Sequence, residues 1–445
     1  MYLEQKARKQ LETSATNAVF SQGTGTVLLA GDDQTLSGST TFNNLTKTVS
    51  GNKIKTLTFA ATTTQAISGS LILQGTVSNN LRLRSTQTGT QWKINANGTR
   101  VTNYVDVQDS NNINPTPMAL TVNNGNNTNW GFGRSITGKV YSNTGGTIPL
   151  TSINVAVTLN GSVVTGTGAV DAGGQFTITN QALTGGTVVG LFIAGSSTHK
   201  AVTVSLGSGS NMTGMTLIKN NLIVKYGSGF NVSSPITSSI LRTANAGNAI
   251  SDVSAIYNTT SNNVYVSSGK RLWVWTGTTL NLGGAFSGSY LHINGNMTQG
   301  ANKMTILAGL TQSGGTFTGG TETILVSGVT GIQANISLKG GTFTSTSSGL
   351  VLGNNTTGDK TVIIQNTFNH NNGTVKTNMG ATGRNINITA PNGWNLYNFT
   401  MSGGTVNTAT GAITVNNAFA FNRGLLGAGE VNALGAVTSY TGLGA

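Results

Sequence analysis

The residues best suited by type to carry chemistry are few and widely spaced. Asp106 and Asp109, with Asp32 and Asp33, form the close carboxylate groups, and paired carboxylates can cleave glycosidic bonds or hold calcium. Residues three apart on a strand point to opposite faces, so Asp106 and Asp109 converge only where the strand ends between them. Asp109-Ser110-Asn111-Asn112 reads as a turn in which the aspartate bonds nearby backbone. His199, His292 and His370 stand alone, without the i, i+2 or i, i+4 spacing of a metal pair. Gly166-Thr167-Gly168 and Gly207-Ser208-Gly209 lack the following helix that a phosphate cradle requires, and read as turns. No catalytic, cofactor-binding or metal-binding residue is assigned, no cofactor is expected, and the chain reads as a non-enzyme. The remaining candidates are aromatic. Trp273 and Trp275 share one face of a strand, with Trp394 and Tyr397 further along; flat amphipathic rings suit both sugar stacking and core packing. Trp273 and Trp275 are the candidate glycan contacts.

The elements that must position these residues follow from composition. Only 8% of the 445 residues are charged, against about 25% in ordinary soluble domains, while glycine supplies 62 and hydrophobic residues 37%. Thr and Ser suit strands, Gly and Asn suit tight left-handed corners, and helix formers are scarce beyond the first twenty residues. Many short strands are therefore expected. Cysteine is absent, which excludes disulfides and thiolate metal sites. The formal net charge of +13 reflects how few acids there are: beyond residue 133 only Asp171, Asp252, Glu322, Asp359 and Glu430. The basic residues are spread singly, the densest groups being Lys6 to Lys9, Arg82 to Arg84 and Lys270-Arg271, a pattern that speaks against nucleic acid and leaves an acidic surface glycan as a partner. No run of 18 apolar residues occurs, so a membrane anchor is expected only in a segment outside this sequence.

Four regions are expected along the chain. In residues 1–22, Leu3, Ala7, Leu11, Ala15 and Val19 recur every four residues, as in a short amphipathic helix acting as a cap or the remnant of an anchor. Residues 23–133 read as alternating strands separated by Gly, Asn and Ser corners. The series Thr41-Phe42-Asn43-Asn44-Leu45-Thr46, Lys55-Thr56-Leu57-Thr58-Phe59, Leu81-Arg82-Leu83-Arg84-Ser85, Tyr104 to Ser110 and Gly125 to Trp130 resembles a module of very large bacterial surface proteins of the filamentous-haemagglutinin or autotransporter-adhesin kind. That resemblance implies parallel β-helix coils and carries no agreed biochemical activity. Residues 134–221, with Asn160-Gly161 and Asp171-Ala172-Gly173-Gly174 turns, read as antiparallel hairpins. They are similar to immunoglobulin-like insert modules of the carboxypeptidase-regulatory type, which implies a small β-sandwich. In residues 222–445, glycines 315, 341, 373 and 404 close Gly-Gly-Thr-Phe or related repeats at steps of 26, 32 and 31, a solenoid spacing.

The fold expected is all-β: parallel β-helix segments flanking a small β-sandwich, with a short N-terminal α-helix. The function expected is extracellular or cell-surface, structural or adhesive, as a projecting rod or a self-assembling filament or surface-layer subunit. A polysaccharide-binding or polysaccharide-cleaving β-helix is the alternative. Sequons at Asn44, Asn97, Asn160, Asn296 and Asn387 would permit glycosylation of an exported chain.

Overall fold

The computed structural model describes all residues except 1–9, 12–22, 50–52, 77, 144, 228–233, 329–331, 354–357, 380–383 and 440–445. The described residues are all-β, with 58% strand and 4% helix. The expected N-terminal helix lies mostly outside the described residues; the part that is described, Gln10–Leu11, is a strand paired in parallel with Gln34–Leu36.

Between Gln10 and Asn123 the strands alternate apolar and polar residues, and they gather into three parallel sheets of six, four and four strands. Lys55–Phe59 pairs with Leu81–Ser85 in the first, Thr64–Ile67 with Trp92–Ala96 in the second, and Asn44–Thr48 with Ser70–Gln74 in the third. Most of these strands bury one side: Leu45, Leu57, Phe59, Leu71, Leu83, Trp92 and Ile94 are all fully enclosed. Phe59 stacks on Trp92 at 3.7 Å between ring centroids, a contact between inward side chains of two different sheets.

The expected separate sandwich at 134–221 is corrected. Its strands do pair antiparallel, as in Asn154–Leu159 with Ser162–Ala169 through the Asn160-Gly161 turn, where φ is 49° and 85°. Both of its sheets continue into their neighbours, however. Trp130–Tyr141 pairs in parallel with Met118–Leu120 on one strand edge, and Val202–Ser208 pairs in parallel with Asn221–Val224. The latter contact merges the segment into one 20-stranded sheet that runs to Ser439.

The expected β-helix segments flanking that sandwich are corrected as well: the structure contains a closed eight-stranded parallel β-barrel with extra strands. The ring can be followed bond by bond. Met304–Gln312 pairs with Ile324–Ser327, then Gly349–Gly353, then Thr374–Asn378, then Trp394–Thr410. From Trp394–Thr410 it returns through Asn385–Thr389, Lys360–Ile364 and Asn335–Leu338 to Met304–Gln312. Two long strands, of 9 and 17 residues, close it, because each is long enough to hold two different partners along its length. The two Gly-Gly-Thr-Phe repeats supply two strands of a separate six-stranded sheet, in which Phe317 pairs with Phe343 and Phe343 with Phe368. Those rings stack at 4.6 and 5.8 Å, and Phe317 and Phe343 join the same hydrophobic core as the ring strands.

Two short helices that composition gave no reason to expect, Ser238–Ala244 and Ser251–Ser254, cover part of this core. Thr237 caps the first by accepting from the Ile240 backbone N–H, and Leu241, Ala244 and Val253 are buried. Tyr257, itself fully enclosed, donates its hydroxyl to the Leu241 carbonyl at 2.8 Å. Among the described residues no helix is long and apolar enough to cross a membrane.

Candidate functional site

Four parallel strands carry the most concentrated group of aromatic and cationic side chains. Asn221–Val224, Arg271–Val274, Phe286–Ile293 and Met304–Gln312 lie side by side with Leu222, Leu272, Leu291 and Leu310 in one inward row. Alternation sends the other partners outward on the last three strands, whereas Asn221 and Ile223 on the first are fully buried. Arg271 stands beside Tyr290, which stands beside Gly309; Trp273 stands beside His292, which stands beside Thr311. The inward leucines anchor the strands and fix the spacing of the outward row.

The outward rings pack on one another. Trp273 lies parallel to His292 at 4.6 Å and tilted against Trp275 at 4.9 Å. The Lys225 ammonium sits 4.4 Å from the Trp275 ring centre, and the Arg271 guanidinium 5.7 Å from that of Tyr290, both within the range of cation–π attraction. Lys225 Nζ also donates to Thr216 Oγ1 at 2.9 Å, and Lys270 Nζ to Asn220 Oδ1 at 2.6 Å. His292 Nε2 is 2.8 Å from Ser313 Oγ. The Trp273 indole N–H is covered and has no partner. Half-burial lowers the Lys225 pKa to about 8. His292 falls to about 4, first because burial penalises the imidazolium and then because Arg271 is close. His292 is therefore neutral at pH 7. Lys270 is lowered by burial and by the nearby Lys219. Among the described residues, none of Lys219, Lys225, Lys270 and Arg271 pairs with a carboxylate.

The other candidates are dispersed. Asp106 is held by Arg84 at 2.8 Å, by Arg82 at 3.8 Å and by the Asn124 amide at 2.5 Å. Asp109 sits in the left-handed region, with φ 56°, and accepts from Asn126 at 2.7 Å. Each carboxylate thus serves its own local contacts. Asp32 pairs with Lys55 at 3.5 Å, and Asp33 accepts from the Thr56 backbone N–H at 2.8 Å. His199 has a covered Nδ1 without a partner. His370 accepts from the Asn372 backbone in a turn and stacks on Tyr397 at 5.4 Å. Trp394 is a core residue, 1% exposed and edge-on to Phe368, so it does not join Tyr397 in an outward platform. No cluster of three or more metal-ligating side chains occurs among the described residues.

Trp273 and Trp275 do stand together, as their spacing of two predicts. Sequence reasoning missed Lys225, Arg271, Tyr290 and His292 as their neighbours. The spacing of two in Tyr290-Leu291-His292 was a usable signal for a shared face, but the register between strands lies in no local pattern. No protein-family description, curated protein or solved structure matches the chain.

Proposed function

We propose that this chain is a structural protein of the cell exterior, one that projects from a surface or assembles with copies of itself and that does no catalysis. The observation that carries the reading is a sheet edge surrounded by exposed apolar side chains. Among the described residues, the 20-stranded sheet ends on Val431–Ala433 and Ala436–Ser439, both paired on one side with Ile413–Leu426. Around this edge Leu425, Leu426, Leu434 and Val437 are 65, 49, 72 and 60% exposed. A sheet edge paired on one side among the described residues and flanked by exposed apolar side chains can serve as a template for a further strand. The low charge supports close approach of subunits, and the surface of Thr, Ser and Asn is hydrated without strong fields. The engagement of Asp106 by Arg84 and of Asp109 by Asn126 favours a structural over a polysaccharide-cleaving role.

Light scattering and negative-stain imaging of the purified chain across a concentration series test this. Concentration-dependent oligomers or rods are expected, and Leu434→Asp with Val437→Asp should return them to monomers while leaving the far-ultraviolet β signal intact. A monodisperse monomer at every concentration overturns the assembly reading. A second reading, glycan binding, is favoured by the aromatic and cationic row and is developed next.

A further inference from the structure

We infer that the row formed by Lys225, Lys270, Arg271, Trp273, Trp275 and Tyr290 is a binding site for an acidic polysaccharide, a chain of sugar rings bearing carboxylates. It deepens the proposed function by giving a surface protein something to hold, and rests on that reading only for access to such polymers.

Charge selects the class of ligand. Lys219, Lys225, Lys270 and Arg271 come from the ends of two adjacent parallel strands and the segments just before and after them. They carry four positive charges with no carboxylate pairing among the described residues. Lys219 and Lys270 act on one another as like charges, and an anion placed between them relieves that repulsion. Arg271 presents a planar fork suited to a carboxylate, Lys270 precedes it in the chain, and Lys225 is a further point charge beside Trp275 at the other end of the strand. Both lysines are already steered by neutral partners, Thr216 and Asn220, which orient the ammonium groups without neutralising them.

The ring arrangement selects sugar over nucleic acid. Single-stranded nucleic acid needs open aromatic faces on which bases stack. Here the Trp273 face is taken by His292, and a face of Trp275 by Lys225. Beside the rings the row offers cations and the polar side chains of Thr311 on a neighbouring strand and of Asn294 and Ser313 just past the ends of two of them. Sugar hydroxyls both donate and accept, and they match such groups. Arg271 and Tyr290, and Trp273, His292 and Thr311, stand on adjacent parallel strands about 4.8 Å apart, so successive sugars of an extended polymer meet successive strands.

Calorimetry with the full chain provides the test, using polygalacturonate as probe, neutral dextran as uncharged control and oligo-dT as nucleic-acid control. Polygalacturonate should bind, dextran should not, and oligo-dT should bind at least about tenfold more weakly. Lys270→Gln combined with Arg271→Gln should weaken polygalacturonate about tenfold or more, as expected for losing charge-assisted hydrogen bonds, and Trp275→Ala should do the same. Lys225→Gln, which alters a half-exposed side chain, repeats the charge test should the double variant fail to fold, folding being read by its thermal midpoint. Absence of binding by the parent chain overturns the inference. So does binding that survives the charge substitutions, loss on charge removal without loss in Trp275→Ala, or oligo-dT binding as tight as polygalacturonate. Assembly is read by light scattering in the absence of polysaccharide and in the Leu434 and Val437 variants, so a failure of either reading leaves the other measurable.

Discussion

At the residue scale the most unusual feature is the burial of lysine. Lys47 and Lys360 are both fully enclosed, although lysine is among the residues least often found inside. Lys360 Nζ donates to the Val326 and Ala334 carbonyls at 3.1 and 2.7 Å, and Lys47 Nζ to Gly31 O, Asp32 O and Gln34 Oε1 at 2.5 to 2.7 Å. Each ammonium therefore satisfies backbone carbonyls that turn inward. Burial lowers both pKa values to about 8. Unfolded lysine titrates near 10.4, so between about pH 8 and 10 the unfolded chain binds more protons and stability rises with pH. Below about pH 8 this contribution is absent. Denaturation midpoints measured over that window should climb, and Lys360→Met should flatten the climb by up to about 1.4 kcal/mol per pH unit. The buried ion pair makes a second prediction. Arg84→Ala leaves Asp106, 8% exposed, with the weaker Arg82 and Asn124 contacts, and should cost about 1–3 kcal/mol in urea denaturation. Asp106 and Asp109 were legible as close carboxylates, but Arg84 lies 22 positions from Asp106 and only the parallel pairing of their strands brings them together.

At the element scale, glycine placement follows from how closely successive strands approach. Gly341 has φ +76°, and a Cβ there would lie 2.0 Å from the Gly315 carbonyl oxygen. Gly269 has a similar φ of +70° but open space around it. Gly341→Ala should therefore cost about 2–4 kcal/mol, from strain and a backbone clash, and Gly269→Ala only about 1 kcal/mol, from strain alone. The pair of denaturation curves separates the two effects. The Phe317, Phe343 and Phe368 stack makes the other prediction at this scale: Phe343→Ala, between two rings and fully buried, should lower stability by about 3–5 kcal/mol. Both features were readable as a recurring Gly-Gly-Thr-Phe. Its step of 26 between Gly315 and Gly341 matches two strands paired in register, Thr316–Thr318 with Thr342–Thr344. The later glycines, Gly373 and Gly404, precede ring strands or lie within one, so the same short motif serves two different sheets.

At the scale of the whole molecule, the edge variants and the polysaccharide titration separate assembly from adhesion, and both depend on surfaces assembled from distant segments. The sequence by itself determined that the chain is built of strands: alternation in Lys55–Phe59 and Leu81–Ser85, the scarcity of helix formers, and glycine and asparagine at corners all report local backbone preference. It also determined that Trp273 and Trp275 share a face, because side chains on a strand repeat with period two. Only the tertiary structure decided that eight of the strands between Met304 and Thr410 close into a parallel ring, that the segment after Gly133 merges with its neighbours instead of standing apart, and that Tyr290 and His292 stand beside the strand bearing Arg271 and Trp273. The physical reason is the same in each case. Alternation specifies which side of a strand is buried, whereas ring closure, merging and row composition depend on which strand lies next to which and in what register. Those choices are made by long strands such as Trp394–Thr410, whose two ends bond different partners.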